Sequence, residues 1–599
     1  MILRYFKIGY TYQVLIKTIN QPFLQTIHLK QPLQYMNTIE IVIENTQSKH
    51  KIEQGTSLSV LAQEYYSKLQ QKGETLPYPI LGALVNNRVE SLEYHIFRPK
   101  TIQFFDITHR QGWRIYQNSL CFLLFKAVRD VCPQSVLTIC HSLTNGFYCT
   151  IKSTVNEDPS NQYEIAQKIR QQMHKLQTSD LPFSSKSMLL DDAVSTFENN
   201  NVPDTLRLLK GLSQLYVSVQ SLDGTIHKTA SQLAPTTGCL HCWDFYPYEE
   251  GYILQCPDPK NPSQLALRQD TPKLFNIFQE HKKWVKLLGA DTIPSLNDIV
   301  RNNGANHLIH VAEALHEKKY AEIAEMIFQR KDKVRMVLLA GPSSSGKTTS
   351  CRRLSVQLSI LGFDVKQLSL DDYFVHRERT PKLPNGEYDF ENIEALDIPL
   401  LNEHLHRLFS GEEVEIPTFD FISGNPFYSG KTMKLNPQSI LLVEGIHALN
   451  PRLTSQIDEE LKFKVYLSAL TQIAIDNQNM IHSSDNRLIR RMVRDNNFRG
   501  WPARETLRRW PEVQRGEQIH IFPYQENADV MFNSALLYEL GVLRTVAEPL
   551  LKRVPETCEE YAEAQRLLSF IELIEPIDPK YIPPTSIMRE FLGGSSFEY

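Results

Sequence analysis

The sequence lacks long apolar runs, a strong net charge and a dense set of cysteines. No segment approaches the roughly 18 consecutive apolar residues that a membrane-spanning helix needs, which argues against an integral membrane protein. A net charge of −4 argues against nucleic-acid binding through bulk charge, although it is compatible with a local basic face. Nine cysteines scattered over 599 residues predict reduced thiols, so we expect a cytoplasmic protein.

Acidic residues are also absent from residues 1–39, which contain Arg4, Lys7, Lys17 and Lys30. This bias is a weak feature of organellar transit peptides, but serine is absent and arginine is sparse in the segment. A new strand pattern begins just after Met36, so an extension upstream of the true start is an equal alternative. We therefore set residues 1–37 apart as an N-terminal extension and expect about three or four domains in the chain.

Residues 38–108 show the element pattern of a small β-grasp domain. A strand (IEIVIEN) precedes a helix (SLSVLAQEYYSKL), for which Thr56 or Ser57 is the candidate N-cap, and short strands follow. Asn86 and Asn87 predict a hairpin turn between two of these strands. The stretch contains no residues that indicate a chemical reaction.

The strongest motif follows a short apolar strand at Val334 to Ala340. The sequence GPSSSGKT matches G-x-x-x-x-G-K-[ST], in which backbone N–H groups surround phosphates, Lys347 reaches the outer phosphates and Thr348 binds Mg²⁺. A helix is predicted from Lys347, which places the phosphates at a helix N-terminus. The predicted nucleotide contacts are Gly341, Pro342, Ser343, Ser344, Ser345, Gly346, Lys347, Thr348 and Thr349. The motif therefore predicts ATP and Mg²⁺ as cofactors.

Carboxylates follow two further strands. Asp371 and Asp372 end the segment FDVKQLSLDDYF, and one of them is expected to take the proton of an acceptor hydroxyl, because parallel strands present their carboxyl ends to the ligand. Helix capping by this pair is the alternative interpretation. Glu444 follows the apolar strand in SILLVEGIHAL, the Walker B arrangement, which binds Mg²⁺ directly or through water.

Four arginines, Arg487, Arg490, Arg491 and Arg494, recur at helical spacing and are expected on one face. Because like charges at this spacing destabilise a helix, the pattern predicts a face that closes over the triphosphate. We expect Arg490 and Arg494 to act in catalysis and Arg491 to bind the nucleotide. The alternative is a solvated basic face paired with acids such as Asp495.

Six motifs in register resemble the uridine kinases and phosphoribulokinases: GPSSSGKTT, LDDYF, YDF (388–390), PTFDF (417–421), LLVEGIHAL and RLIRRMVRD. The resemblance covers residues 333–550. It implies Asp371 as the base, Lys347 as the phosphate clamp, Thr348 and Glu444 on Mg²⁺, and Asp389 on sugar hydroxyls of the acceptor. The expected substrate-binding residues are Asp372, Tyr373, Asp389, Phe419 and Asp420.

The resemblance departs from uridine kinases in the base pocket. Those enzymes place a tyrosine and a histidine near PTFDF, and here the two positions fall on Phe419 and Gly424. Loss of a hydroxyl and an imidazole removes hydrogen bonds that can decide specificity. Kinase chemistry is therefore predicted, and pyrimidine specificity is not.

Residues 109–300 resemble the editing region of threonyl-tRNA synthetases, which also follows a ubiquitin-like TGS domain, in GWRIYQNSLCFLLFKAV, NGFYCTI and APTTGCLHCWDF. That family edits with two pairs of residues, which here fall on Asn118 and Phe122, and on Thr229 and Leu233. Asparagine and threonine do not replace imidazole or thiolate as bases or ligands. We therefore expect a scaffold or binding module.

Within this region, Cys239 and Cys242 form a single CxxC pair around His241. The pair is compatible with half of a zinc site or a redox motif, although one pair alone is weak support. The alternative that we favour is a pair of partly buried thiols beside Trp243.

Together the patterns predict an α/β chain. A parallel-sheet P-loop kinase domain (333–550) follows a β-grasp domain (38–108), an α+β synthetase-like domain (109–300) and a connecting helix (301–332), and precedes a tail (551–599). We expect transfer of the ATP γ-phosphoryl to a nucleoside 5′-hydroxyl. The alternatives are another small hydroxyl acceptor, such as a sugar phosphate, and an RNA-linked NTPase with a tRNA-binding front half. An oligomer is compatible with either.

Overall fold

The computed structural model describes residues 38–143, 145–153, 161–198, 200, 202–229, 231–420 and 423–598. The predicted extension at residues 1–37 and Phe421 of the PTFDF motif lie outside them. The described strands are β1 (Thr38–Ile43), β2 (Ser48–Glu53), β3 (Thr56–Ser57), β4 (Gly82–Val85), β5 (Arg88–Glu90), β6 (His95–Ile96), β7 (Thr101–Phe105), β8 (Ser135–Leu143), β9 (Gly146–Ser153), β10 (Ser184–Leu189), β11 (Tyr216–Leu222), β12 (Thr225–His227), β13 (Asp244–Tyr248), β14 (Gly251–Gln255), β15 (Pro257–Asp258), β16 (Asn261–Leu265), β17 (Met336–Ala340), β18 (Asp364–Ser369), β19 (Val414–Asp420), β20 (Asn425–Met433), β21 (Ser439–Glu444), β22 (Lys462–Ser468) and β23 (Val530–Asn533).

The α-helices of these segments are α1 (Leu58–Gln71), α2 (Arg110–Val131), α3 (Gln162–Thr178), α4 (Leu190–Glu198), α5 (Pro203–Lys210), α6 (Pro272–Leu288), α7 (Ile293–Arg301), α8 (Ala305–Phe328), α9 (Lys347–Ile360), α10 (Ile398–Phe409), α11 (Ser483–Arg499), α12 (Ala503–His520), α13 (Glu539–Lys552), α14 (Tyr561–Ile571) and α15 (Arg589–Leu592). Among the described residues, no helix has both the length and the apolar character to cross a membrane.

The first unit is a mixed five-stranded sheet covered by α1. Its strand order is β2-β1-β7-β4-β5, in which β1 and β7 are parallel and the other neighbours are antiparallel. Helix α1 starts after Ser57, whose side chain accepts a hydrogen bond from the Val60 N–H. Asn86 and Asn87 connect β4 to β5 with φ values of 48° and 60°, so the predicted hairpin turn is confirmed.

The second unit packs α2 and α3 against a four-stranded antiparallel sheet ordered β13-β14-β9-β8. Helix α3 is amphipathic, and it buries Ala166, Ile169, Met173 and Leu176 on one face. A smaller antiparallel sheet, β10-β11-β12, packs with α4 and α5 around its own apolar cluster.

The third unit is a parallel sheet ordered β18-β21-β17-β22-β23. Every residue of β17 is buried, because helices cover both faces of a parallel sheet. This confirms the predicted parallel α/β kinase fold in this part of the chain. The strand after α9 ends at Ser369, earlier than expected, and Leu370–Tyr373 form a 3₁₀ turn.

The C-terminal segment joins the third unit to the second. On α14, the Glu563 carboxylate accepts hydrogen bonds from Arg110 and Arg114 of α2, each at 3.0 Å from Oε1. The neighbouring Arg566 donates to Asp485, in the first turn of α11, at 2.7 Å. Burial opposes ionisation of Glu563, but the guanidinium groups of Arg114, Arg566 and Arg110 hold its pKa well below the usual value. Helix α14 of the predicted tail is thus docked between the two units.

We expect Glu563→Gln to lower the free energy of unfolding of this junction by about 3 kcal/mol, because several buried guanidinium groups lose their anion. Chemical denaturation followed by tryptophan fluorescence measures the change. Glu572→Gln is the matched control, because Glu572 pairs with Lys552 at an exposed site and such pairs contribute about 1 kcal/mol or less. Equal changes in the free energy of unfolding for the two variants would contradict a stabilising role of the buried Glu563 ion pairs.

Candidate active site

The loop between β17 and α9 has the geometry of an anion-binding turn. A Cβ at Gly341 would lie 2.0 Å from the Leu467 carbonyl oxygen, so only glycine fits there. Gly346 has φ of +85° and directly precedes Lys347, the first residue of α9. The N–H groups of the first helical turn therefore face the loop, where an anion is stabilised.

Lys347 lies inside this loop, where its ammonium donates to the Pro342 carbonyl oxygen at 3.1 Å. Burial lowers the pKa of Lys347, and the neighbouring carboxylates of Glu444, Asp371 and Glu590 act in the opposite direction. The amine is thus held among acidic groups at the end of the sheet. This placement suits a cation that neutralises phosphate charge.

Asp371 and Glu444 lie at the carboxyl ends of neighbouring parallel strands. Glu444 ends β21 and accepts a hydrogen bond at 3.0 Å from Ser369, its register partner on β18. Burial, and then the nearby Asp371, raise the pKa of Glu444 to about 7, with Lys347 opposing. Desolvation by the walls of the cleft also raises the pKa of Asp371, although solvent still reaches its side chain, and Lys347 opposes this shift.

These residues fit a magnesium ion that also binds phosphate. Within the described ranges, no group of three or more His, Cys, Asp or Glu could hold a metal alone. Mg²⁺ commonly binds one or two protein oxygens together with phosphates and water, which matches Thr348 at the loop and Glu444 opposite it. The excess of carboxylate over ammonium around Lys347 also favours a cation here.

The four arginines of α11 divide into two pairs, which differs from the expected convergence on one anion. Arg487 is buried in an ion pair with Glu517 and donates to the Ser343 carbonyl oxygen at 3.1 Å. Arg490 is fully buried against Glu539 and lies 3.4 Å from the Ser344 carbonyl oxygen. Both side chains therefore contact carbonyl oxygens of the loop backbone. Because Arg490 is fully buried in these contacts, it is not placed to touch a triphosphate.

The second pair lies beside the loop. Arg491 donates to the Ser343 hydroxyl at 2.7 Å, and Arg494 pairs with the buried Asp495 at 3.0 Å. Pairing with Asp495 was the alternative interpretation of this face, and it holds for Arg491 as well at 3.4 Å. Arg491 and Arg494 are thus the members of the set that remain at the candidate phosphate site.

The residues predicted to bind substrate divide in a similar way. Tyr373 is buried and its hydroxyl lies 3.0 Å from His404 Nδ1, so it faces the core. Phe419 is also buried and packs on Phe374 at 5.3 Å between ring centroids. Asp420 accepts from the Ser423 N–H at 3.1 Å and stabilises the hairpin turn between β19 and β20.

Asp372 and Asp389 remain polar groups near the cleft. Burial raises the pKa of Asp372, while Lys431 and a backbone hydrogen bond from Phe419 oppose the shift. Asp389 accepts a hydrogen bond from Arg515 of α12 at 3.1 Å. The charge that opposes the shift most strongly is that of Lys347 for Asp371 and that of Lys431 for Asp372.

Sequence reasoning missed Glu391, which follows the YDF motif. Its Oε2 atom is buried without a hydrogen-bond partner in the described structure, and its Oε1 atom lies 3.8 Å from Arg491. Burial raises the pKa of Glu391 to about 7, Arg491 opposes this, and Glu517 adds to it. An acid directly after a predicted acceptor motif was the available signal.

The CxxC pair is not part of a metal site in the part of the chain that the structure describes. Cys239 and Cys242 are free, partly buried thiols, and burial raises the pKa of each. The favoured interpretation, a structural role beside Trp243, agrees with this arrangement.

Residues 336–537 match the sequence model of the phosphoribulokinase / uridine kinase family. A uridine kinase of Deinococcus deserti is 29% identical over 194 residues, which are 32% of this chain and 84% of that protein. A uridine kinase of Schizosaccharomyces pombe is 34% identical over 170 residues, 28% of this chain and 33% of that protein. The C-terminal region therefore carries a domain of this family, and the matches support an ATP-dependent phosphotransferase.

Two solved structures are also similar to the chain. A possible uridine kinase from Bacillus stearothermophilus has a TM-score of 0.25 at 18% identity and covers 35% of this chain and 98% of its own. A D-glycerate 3-kinase from Cryptococcus neoformans has a TM-score of 0.21 at 14% identity and covers 43% of this chain and 87% of its own.

The buried Glu391 predicts a pH-dependent stability. Because its folded-state pKa of about 7 exceeds the unfolded value of 4.5, the free energy of unfolding should fall as pH rises from about 4.5 to about 7. Glu391→Gln removes this contribution, so we expect the variant to gain ~2 to 3 kcal/mol over the wild type between pH 5 and pH 8. Urea denaturation at both pH values measures the gain. The exposed Glu394→Gln serves as control, and parallel pH profiles for wild type and Glu391→Gln would refute the assignment.

Proposed function

We propose that this chain, whose residues 336–537 form a phosphoribulokinase/uridine kinase family domain, transfers the γ-phosphoryl of Mg-ATP to a nucleoside 5′-hydroxyl. The observation that carries the proposal is the meeting of three groups at one edge of the sheet. Lys347 begins the helix after the phosphate loop, Glu444 ends β21, which pairs with β17, and Asp371 lies in the turn that follows β18, the next strand along. This is the set of charges that phosphoryl transfer requires.

The residues divide the reaction between them. Lys347 and the loop N–H groups bind the phosphates, and Asp371 accepts the proton of the acceptor hydroxyl while that oxygen bonds to the γ-phosphorus. The bond from the γ-phosphorus to the β–γ bridging oxygen breaks, and ADP leaves. Thr348 and Glu444 would hold Mg²⁺, which supplies positive charge to the phosphate oxygens when bound.

We assign the base to Asp371 over Asp372. Lys347 of the phosphate loop is the cation that acts most strongly on the pKa of Asp371, whereas Lys431 is the one that acts on the pKa of Asp372. Arg491 and Arg494 would stabilise charge on the transferring group from the side of α11. In this proposal Arg490 is a positioning residue, because its contacts are with Glu539 and the loop backbone.

The proposed acceptor, a nucleoside, is based on the side chains near the cleft and on the uridine kinases to which the chain is similar. Asp389 would hold sugar hydroxyls, with Arg515 orienting its carboxylate at 3.1 Å. Phe419 is buried, and Gly424 has φ of +74° with the Arg377 side chain against it, so neither position supplies the hydrogen bonds expected for reading a pyrimidine. A nucleoside class is thus proposed without a preferred base.

For the front half we propose a scaffold or binding module. The strand order of residues 38–108 and the parallel pairing of β1 with β7 support a β-grasp fold. Asn118 and Thr229 line one cavity, which supports the synthetase-like alignment. Phe122 packs on His227 at 4.8 Å and Leu233 is buried, so these positions contribute packing and no editing chemistry.

We expect Asp371→Asn to lower phosphoryl transfer at least about a hundredfold, because the hydroxyl proton loses its acceptor, while ATP affinity stays nearly unchanged. ADP release measured with Mg-ATP and a panel of nucleosides, sugar phosphates and RNA gives both the rate and the acceptor class. Lys347→Ala should remove the stimulated activity in every arm.

The comparison variant is Asp372→Asn. Full activity in Asp371→Asn together with loss in Asp372→Asn would move the base to the second carboxylate. Stimulation by RNA alone would contradict the nucleoside kinase, and stimulation by a sugar phosphate alone would keep the kinase and replace its acceptor.

A further inference from the structure

A carboxylate from the C-terminal segment occupies donors at the phosphate loop. Glu590, on α15, accepts hydrogen bonds through Oε2 from the Thr349 N–H at 3.1 Å and from the Thr349 hydroxyl at 2.8 Å. Thr349 is the third residue of α9 and one of the predicted nucleotide contacts. Glu590 lies outside residues 336–537, the part of the chain that matches the kinase family.

The backbone around Glu590 is held firmly in place. Ile587 and Phe591 are fully buried among the side chains of the kinase sheet. A Cβ on Gly346 would lie 2.6 Å from Ile587 Cγ2, so the segment touches the loop itself. Asn497 of α11 also donates to the Phe591 carbonyl oxygen at 3.1 Å. The neighbours of Glu590 are therefore part of the core, whereas the Glu590 side chain is only half-buried.

The Glu590 carboxylate occupies the kind of position that a phosphate takes. Unpaired N–H groups in the first turn of a helix bind anions, and the helix dipole favours negative charge there. The charge of Glu590 also acts on Lys347 and Glu444, the predicted phosphate clamp and magnesium ligand. A phosphate oxygen and the Glu590 carboxylate would repel one another and compete for the same donors.

We propose that Glu590 is a built-in competitor of the nucleotide: its side chain satisfies the Thr349 donors in the free protein and rotates away when a nucleotide phosphate takes them. The backbone of α15 stays docked throughout. This inference rests on the proposed function, because it requires the loop to bind ATP. In this inference Glu590 lowers the affinity for the nucleotide, whereas a residue that binds ATP would raise it.

The test measures affinity and stability in the full-length chain. We expect Glu590→Ala to bind the β,γ-imido analogue of ATP, with Mg²⁺, about tenfold more tightly by calorimetry, because a charge-assisted hydrogen bond no longer has to be broken. The ligand-free variant should melt about 2 °C lower, because α9 loses its cap. Glu590→Gln, which keeps the shape and an acceptor oxygen, should give a smaller gain in affinity.

Glu598→Gln is the matched control, since it removes an exposed carboxylate from the same segment and should change neither quantity. Unchanged or weaker analogue binding in both Glu590 variants, with normal binding by the wild type, would overturn this inference and leave the kinase proposal intact. Absence of analogue binding in the wild type and in both folded variants would overturn the kinase proposal and this inference with it.

Discussion

The shape of the phosphate loop depends on two buried ion pairs that hold its backbone from behind. Arg487 with Glu517, and Arg490 with Glu539, each neutralise a charge that burial alone would make very costly. The remaining guanidinium donors then reach the carbonyl oxygens of the loop. The Ser343 N–H of the loop also donates to Glu517, at 3.1 Å, so the same ion pair holds both a carbonyl oxygen and an N–H group of the loop. Arg487 and Arg490 thus position the backbone of the phosphate loop and do not supply charge to a bound phosphate.

Helix α11 also connects this loop to the front half of the chain. At its first turn, Asp485 is held by Arg566, which shares Glu563 with Arg110 and Arg114 of the second unit. Just before α11, the Asn477 carbonyl oxygen accepts from the Ile139 N–H of β8 at 2.8 Å. A continuous set of ion pairs and hydrogen bonds therefore runs from the second unit to the loop.

The parts of the structure that could be predicted are those that depend on residues close together in the sequence. The apolar run at β17 and the loop glycines each follow from the spacing of a few residues, and the structure agrees with both predictions. Tyr373 and Phe419 were placed in the substrate site because motif position does not reveal which way a side chain points. Their burial depends on neighbours such as His404 and Phe374, which only the tertiary fold brings close.

The partners of the buried arginines could not be found from the sequence for the same reason. Arg487 and Glu517 lie 30 residues apart, and Arg490 and Glu539 lie 49 apart, so no periodic pattern links them. Four arginines on one face imply an anion, and the sequence could not distinguish a protein carboxylate from a triphosphate. For Arg487 and Arg490 the chain itself supplies the anion.

The same substitution of carboxylate for phosphate occurs at Thr349. Without ligand, the site combines the acids Asp371, Glu444 and Glu590 with the buried ammonium of Lys347. Burial raises the pKa of Glu444 because the neighbouring Lys347 balances its charge only in part, so a cation beside it would stabilise the ionised carboxylate. In the proposed function, Mg²⁺ would balance the charge of Glu444, and a nucleotide phosphate would replace Glu590 as the hydrogen-bond acceptor at Thr349. The incompletely balanced charge of Glu444 therefore supports the part of the proposed function in which a metal enters together with the nucleotide.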